Sequence, residues 1–299
     1  MAERQLERDR VMLDKASRVA VIGLGAMGSR IAARLLDSGH ELVIWNRNPG
    51  KAEPLVALGA STAASPAEAT RRADAVMTMV SDPEALREVT EGSEGLAAGA
   101  TDATTVVQMS TVGPAAVQRL ASILPGGAGL LDAPVLGSLV EAASGTLTIF
   151  VGGSESLVER WRPLLSTLGS VVHVGALGAG SSAKLVANSS LFGTLGVLGE
   201  ALALADSLGL SRQSTFEVLA ATPLAAQAER RRPSVESGEY PARFPLSLAR
   251  KDSDLILGAA EASGAELRLA AAARTWLAEA DRGRGDEDHT AVLARILRR

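Results

Sequence analysis

The chain has 299 residues, 46% of them hydrophobic, which is enough to build one large core or two moderate ones, and two is the expectation at this length. Its 30 basic and 34 acidic residues leave a net charge of −4 with both signs scattered along the chain, so no basic footprint for nucleic acid or an anionic membrane exists and a small molecule is the expected partner. The absence of cysteine excludes disulfides, thiolate metal sites and a cysteine nucleophile, and fits a cytoplasmic chain. His40, His173 and His289 lie too far apart for a ligand-spaced pair, so no metal is expected.

Residues 1–17 alternate acid and base around Leu6, Val11, Met12 and Leu13, lack the apolar run of a signal peptide, and are expected to form a charged extension. A β-branched strand is expected at Val19–Ile22. It breaks into Gly23-Leu24-Gly25-Ala26-Met27-Gly28, a G-x-G-x-x-G turn that opens onto a helix with Met27, Ile31 and Leu35 on one face. This pattern cradles a dinucleotide pyrophosphate. The first glycine allows the tight turn, the second lets the backbone approach the phosphates, the third lets helix and strand pack closely, and the helix amides of Ala26, Met27 and Gly28 point at the anion.

A second strand, Glu41–Trp45, leads into Asn46-Arg47-Asn48 and then Lys51. Sites for NAD place a carboxylate about 20 residues past the glycines to bond the ribose 2′-hydroxyl. None is present here, and Arg47 with Lys51 nearby favours the 2′-phosphate of NADP. Further strands are expected at Ala75–Val80, Thr105–Met109 and Gly129–Asp132, and then at Thr146–Val151 and Ser170–Val174 around a helical stretch Ser154–Leu168. The last two should extend the sheet at one edge. Residues 18–177 therefore read as a doubly wound Rossmann α/β domain. Residues 178–299 read as a long helix between the domains, Ser181–Leu208, followed by an all-helical domain for substrate and dimer contacts, with boundaries at Thr222-Pro223, Arg232-Pro233, Tyr240-Pro241 and Phe244-Pro245. Its most apolar stretch, Leu185–Leu204, is interrupted by Asn188, glycines and Glu200, and no membrane span is expected.

Met109-Ser110-Thr111, Asp132-Ala133-Pro134-Val135-Leu136-Gly137-Ser138, Gly178-Ala179-Gly180 with Lys184 and Asn188, and Lys251-Asp252 follow the glycine turn in order. This constellation, over about residues 18–280, resembles the β-hydroxyacid dehydrogenases, the group containing 3-hydroxyisobutyrate dehydrogenase and glyoxylate/succinic semialdehyde reductase. The resemblance implies a 6-phosphogluconate dehydrogenase-like fold, and hydride transfer between NADP(H) and the carbonyl or alcohol carbon of a small hydroxyacid or semialdehyde. It makes Lys184 the general acid/base and places Ser110 and Thr111 at the nicotinamide, with Ser110 also at the substrate. Val80, Ser81 and Asp82 follow the cofactor, and Lys251 lies near the nicotinamide end, held by Asp252.

The residues themselves add a physical case. Lys184 is the one charged group between Arg162 and Glu200, it opens an apolar helix where desolvation would favour its neutral form, and Asn188 lies one turn further on the same face. The family's substrate loop reads D-A-P-V-S-G-G. Here Leu136-Gly137-Ser138 stands at its end, so a hydroxyl donor for a substrate carboxylate is lost at Leu136, and either Ser138 supplies one from two residues on or the substrate is bulkier or lacks a carboxylate. Imine reductases share the fold but carry an acidic residue or tyrosine in place of the lysine, which makes reduction of an imine the alternative activity. A non-catalytic dinucleotide-binding protein is the alternative of another class.

Overall fold

The computed structural model describes residues 17–298. The expected charged extension, apart from Ser17, lies outside the described residues. The chain divides into two compact units between Lys184 and Leu185, and each is treated by itself.

The first unit is built on a nine-stranded sheet, ordered β3-β2-β1-β4-β5-β6-β8-β7 with β9 paired to β8. Its strands are β1 Arg18–Ile22, β2 Glu41–Trp45, β3 Ser61–Thr62, β4 Ala75–Thr78, β5 Thr105–Gln108, β6 Gly129–Asp132, β7 Val135–Leu136, β8 Leu147–Gly152 and β9 Gly169–Gly175. Strands β1 to β6 run parallel, the order of a doubly wound dinucleotide-binding sheet. Successive side chains of a strand point to opposite faces, and both faces are covered. Val19, Val21, Ile44, Met77 and Val107 enter one core with Ile31 and Leu35 of the helix Ala26–Asp37, while Ala20, Ile22, Val43, Val76 and Val106 enter the other with Leu86, Val117 and Leu120.

The two later strands extend the sheet as expected. Strand β8 returns antiparallel to β6 and β7, and β9 then runs parallel to β8 at the edge. The two-residue strands β3 and β7 carry too little pattern to be read from sequence.

The second unit packs the long helix Ala179–Ser207, from Leu185 onward, against helices at Arg212–Ala220, Ala225–Ser237, Leu246–Ser263, Arg268–Arg284 and Val292–Ile296. Two expectations are corrected here. Pro233 does not end a helix: it sits inside Ala225–Ser237 at an exposed position, where water can satisfy the carbonyl one turn back that loses its donor. Asn188 and the glycines do not interrupt the long apolar stretch either. The resulting helix of 29 residues is long and apolar enough to cross a membrane by length and composition. Its Leu185, Phe192, Leu195, Leu198 and Leu202 are buried in the core of the second unit, and 39% of its most apolar window is buried.

Candidate active site

Strand register gathers residues that are distant in sequence. Trp45 pairs with Ile22, Ile22 with Thr78, Thr78 with Gln108 and Gln108 with Asp132, which makes one row across the C-terminal edge of the sheet. Asn46, Gly23, Val80, Ser110 and Pro134 stand one or two residues beyond it. Ligands of open α/β sheets bind outside this edge.

At the centre of the edge the glycine turn has the shape a pyrophosphate requires. Gly23 has φ +100°, and a Cβ there would lie 2.3 Å from the Met79 carbonyl oxygen. A Cβ on Gly28 would lie 2.0 Å from the Gly23 oxygen. Gly25 is the opposite case: a Cβ would meet nothing within 4 Å, so its approach is open. No side chain caps the helix Ala26–Asp37 at Gly25, and the amides of its first turn have no intrahelical acceptor. The residues present therefore fit a dinucleotide phosphate.

Asn46 holds this turn to β2: its Oδ1 accepts from Leu24 N–H at 2.9 Å, and its Nδ2 donates to the Asn48 carbonyl at 2.9 Å. Asn48 in turn caps the 3-10 turn Pro49–Ala52 through Gly50 N–H. These two amides shape the loop. Arg47 and Lys51 are left exposed on it, and Arg47 is 3.2 Å from Glu88.

Beyond β4 and β5, the Ser110 hydroxyl accepts from Val80 N–H at 2.8 Å and lies 3.3 Å from the Thr78 carbonyl. Ser110 is fully buried, and its hydroxyl ties two strand ends together. Gln108, which sequence reasoning missed, bridges both sides of the same residue: its Oε1 accepts from Ser110 N–H at 2.5 Å and its Nε2 donates to the Ser110 carbonyl at 2.9 Å. Ser81 donates to Asp82, whose carboxylate also caps the helix Pro83–Thr90 at Ala85 N–H. Thr111 is half-buried beside them.

In the sequence Asp132 stands only as part of a loop motif. Its buried carboxylate accepts from Ser181 N–H at 2.6 Å and Ser181 Oγ–H at 2.7 Å, in the first turn of the helix that carries Lys184. Burial pushes this carboxyl up from its ordinary value, and the Ser181 hydrogen bonds pull partly against that shift. Backbone meets backbone at the same point, since a Cβ on Gly180 would lie 2.2 Å from the Asp132 carbonyl oxygen and 2.6 Å from that of Phe150. Only glycine lets the helix start this close to the strand ends. Lys184, one turn on, is 8% exposed.

At the end of β7, Leu136 is 38% exposed, and the next residue, Gly137, has φ +136°, where a Cβ would also strike Leu147. Ser138 opens the helix Leu139–Ser144, its N–H donating to the Glu141 carboxylate at 2.8 Å. In the second unit, Asn188 and Asp252 are both buried, and Asn188 Nδ2 donates to Asp252 Oδ2 at 2.7 Å. Lys251 Nζ lies 2.5 Å from the other carboxylate oxygen. Asp252 thus fixes which way the Asn188 amide faces, a link across 64 residues with no signal in the sequence.

Comparison with known proteins agrees with this architecture. Residues 18–177 match the NAD binding domain of 6-phosphogluconate dehydrogenase, and residues 178–296 match the NAD-binding family of NADP-dependent 3-hydroxyisobutyrate dehydrogenase. The chain is 34% identical to the chloroplastic glyoxylate/succinic semialdehyde reductase 2 of Arabidopsis thaliana over 279 residues, 92% of this chain and 78% of that one. It is 32% identical to 3-sulfolactaldehyde reductase of Escherichia coli K12, covering 93% of this chain and 95% of that one. Among solved structures, the 3-hydroxyisobutyrate dehydrogenase of Mycobacterium tuberculosis with L-serine superposes with a TM-score of 0.85 at 31% identity, covering 93% of this chain and 98% of that one. An imine reductase from Myxococcus stipitatus in complex with NADP+ shares the fold, with a TM-score of 0.63 at 24% identity, 94% of this chain and 99% of that one being covered. The chain belongs to the NAD(P)-binding hydroxyacid dehydrogenase family and is an oxidoreductase.

Proposed function

We propose that this chain is an NADP(H)-dependent reductase of a small semialdehyde or related carbonyl compound, with Lys184 as its general acid/base. The observation that carries the reading is Lys184 itself: a buried cation in an apolar helix whose first turn is clamped to the ligand-binding edge of the sheet by Asp132. Gly23, Gly25 and the amides of Ala26, Met27 and Gly28 hold the pyrophosphate, and Arg47, on the loop shaped by Asn46 and Asn48 and with Lys51 nearby, takes the 2′-phosphate. Val80, Ser81, Asp82, Ser110 and Thr111 line the path toward the nicotinamide, and Lys251 serves the same end.

When bound, the nicotinamide supplies a hydride to the carbonyl carbon. The lysine ammonium donates the proton that the carbonyl oxygen takes up, so the alcohol forms with charge balanced at that oxygen. Asn188, its amide oriented by Asp252, positions the substrate, and Leu136, Gly137 and Ser138 bound the substrate loop. The relatives are named for carboxylate- and sulfonate-bearing aldehydes or alcohols, which supports an anionic substrate class. A homodimer is part of this reading, because Val186, Val197 and Leu204 are exposed along one face of the long helix, with exposed Leu208 just past its end.

The test is Lys184→Ala, assayed by NADPH absorbance loss with a panel of semialdehydes, other aldehydes and cyclic imines. Turnover should fall by about 10²- to 10⁴-fold while NADPH affinity and melting temperature hold. Undiminished turnover removes Lys184 from the mechanism. A wild type active on imines alone replaces the carbonyl reading.

A further inference from the structure

We propose that Glu88 competes with the 2′-phosphate of NADP for Arg47, and so sets how strongly the chain prefers NADP(H) over NAD(H). The inference rests on the role assigned to Arg47 above. The loop after β2 offers no carboxylate to a ribose hydroxyl, and its first charged group is Arg47, beside the Asn46 that is hydrogen-bonded into the glycine turn. Arg47 Nη1 lies 3.2 Å from Glu88 Oε2, a residue 41 positions away on the helix Pro83–Thr90. That helix is held in place by its Asp82 cap, which follows Val80, itself anchored on Ser110.

The other glutamates of this helix and its end have cations of their own. Glu84 is paired with Arg87, and Glu91 takes the Arg119 guanidinium at 2.6 and 3.0 Å. Glu88 instead reaches across to the cofactor loop. The Arg47–Glu88 pair is single-pronged and open to water, with side-chain exposures of 85% and 50%. Exposed pairs of this kind are weak and break readily.

A phosphate dianion would use the same guanidinium donors in a two-pronged contact. Binding NADP must then displace Glu88 from Arg47 and leave a carboxylate beside the phosphate, so both effects penalise the phosphorylated cofactor. NAD, with a neutral 2′-hydroxyl, meets neither penalty. Glu88 therefore narrows the gap between the two cofactors, and removing its charge should widen it.

The experiment titrates the purified full chain with NADPH and with NADH, following nicotinamide fluorescence, for wild type, Glu88→Gln, Arg47→Gln and the double variant. No substrate is needed. Glu88→Gln should tighten NADPH roughly three- to tenfold, the scale of one weak exposed pair plus screened repulsion, and leave NADH within about twofold. Arg47→Gln should weaken NADPH selectively, and in that background the Glu88→Gln gain should shrink to the screened repulsion alone, because the competition needs both partners. If Arg47→Gln weakens NADPH but Glu88→Gln changes nothing or shifts both cofactors alike, the inference fails and the role of Arg47 stands. A gain that persists undiminished without Arg47 also overturns it, since Glu88 would then act through its field alone. Weaker NADH binding in Glu88→Gln overturns it in favour of a ribose-hydroxyl contact. If Arg47→Gln spares NADPH, the cofactor reading itself falls, and the inference with it.

Discussion

Asp132 offers a test of how the long helix is seated, with two substitutions that separate the acceptor from the charge. Its carboxylate receives both donors of Ser181 within 2.7 Å. Hydrogen bonds to a charged acceptor are worth roughly 1.5–3 kcal/mol each, offset here by the cost of holding a carboxylate out of water. Asp132→Ala leaves the buried Ser181 N–H and hydroxyl without an acceptor, so a net loss of about 2–4 kcal/mol is expected. For a domain of this size that lowers the melting temperature by roughly 5–15 °C. Asp132→Asn behaves differently. Its amide oxygen still accepts from Ser181 N–H, its NH₂ donates to Ser181 Oγ, and no charge is buried, so its melting temperature at pH 7 should stay within about 3 °C of wild type.

The pH dependence follows from the direction of the shift. The carboxyl is raised above its ordinary 3.8 in the folded state, so the folded chain holds the proton more tightly than the unfolded one. The resulting stabilisation is fully present below the unfolded value and is lost as pH rises through the folded one. Wild type should therefore shed this contribution across the acid range above about pH 4, and Asp132→Asn should lack that slope. Melting curves by circular dichroism from pH 4 to 8 measure both quantities. A pH 7 loss in Asp132→Asn as large as that in Asp132→Ala would refute the reasoning, because the charge rather than the acceptor would then hold the helix.

Two further outcomes can be checked. Leu136→Ser, which restores a hydroxyl to the substrate loop, should raise kcat/KM for short carboxylate substrates about ten- to hundredfold while lowering it for carboxylate-free carbonyls, and unchanged ratios would mean that Leu136 does not border the carboxylate. Glutamate at Val186 and Leu204 together should convert a dimer to monomer in light scattering, and a wild type that is already monomeric at micromolar concentration removes the assigned role of that face.

The parts of this protein encoded in neighbouring residues were legible in the sequence. The glycine turn is one, because the positive φ of Gly23 and the contact between Gly28 and Gly23 arise inside a single strand-turn-helix unit. The alternating strands and the apolar long helix are others, since the period of buried side chains follows the local backbone. The missing acid after Trp45 and the lysine isolated in an apolar run needed no coordinates either.

What brings these pieces together was not legible, because it depends on strand order and register. The row from Trp45 through Asp132 exists only once β1 lies between β2 and β4. Gln108 looked like an ordinary polar residue, Asp132 stood only as the head of a loop motif and Asp252 only as the partner of Lys251, and only packing shows them holding Ser110, Ser181 and Asn188. Pro233 read as a boundary because local rules disfavour proline within a helix, yet tertiary packing around Ala228 and Val235 outweighs that local cost. Arg47 could be recognised as a cation at the ribose position, but its carboxylate partner comes from another strand-helix unit, and pairings across the fold leave no periodic trace in the chain.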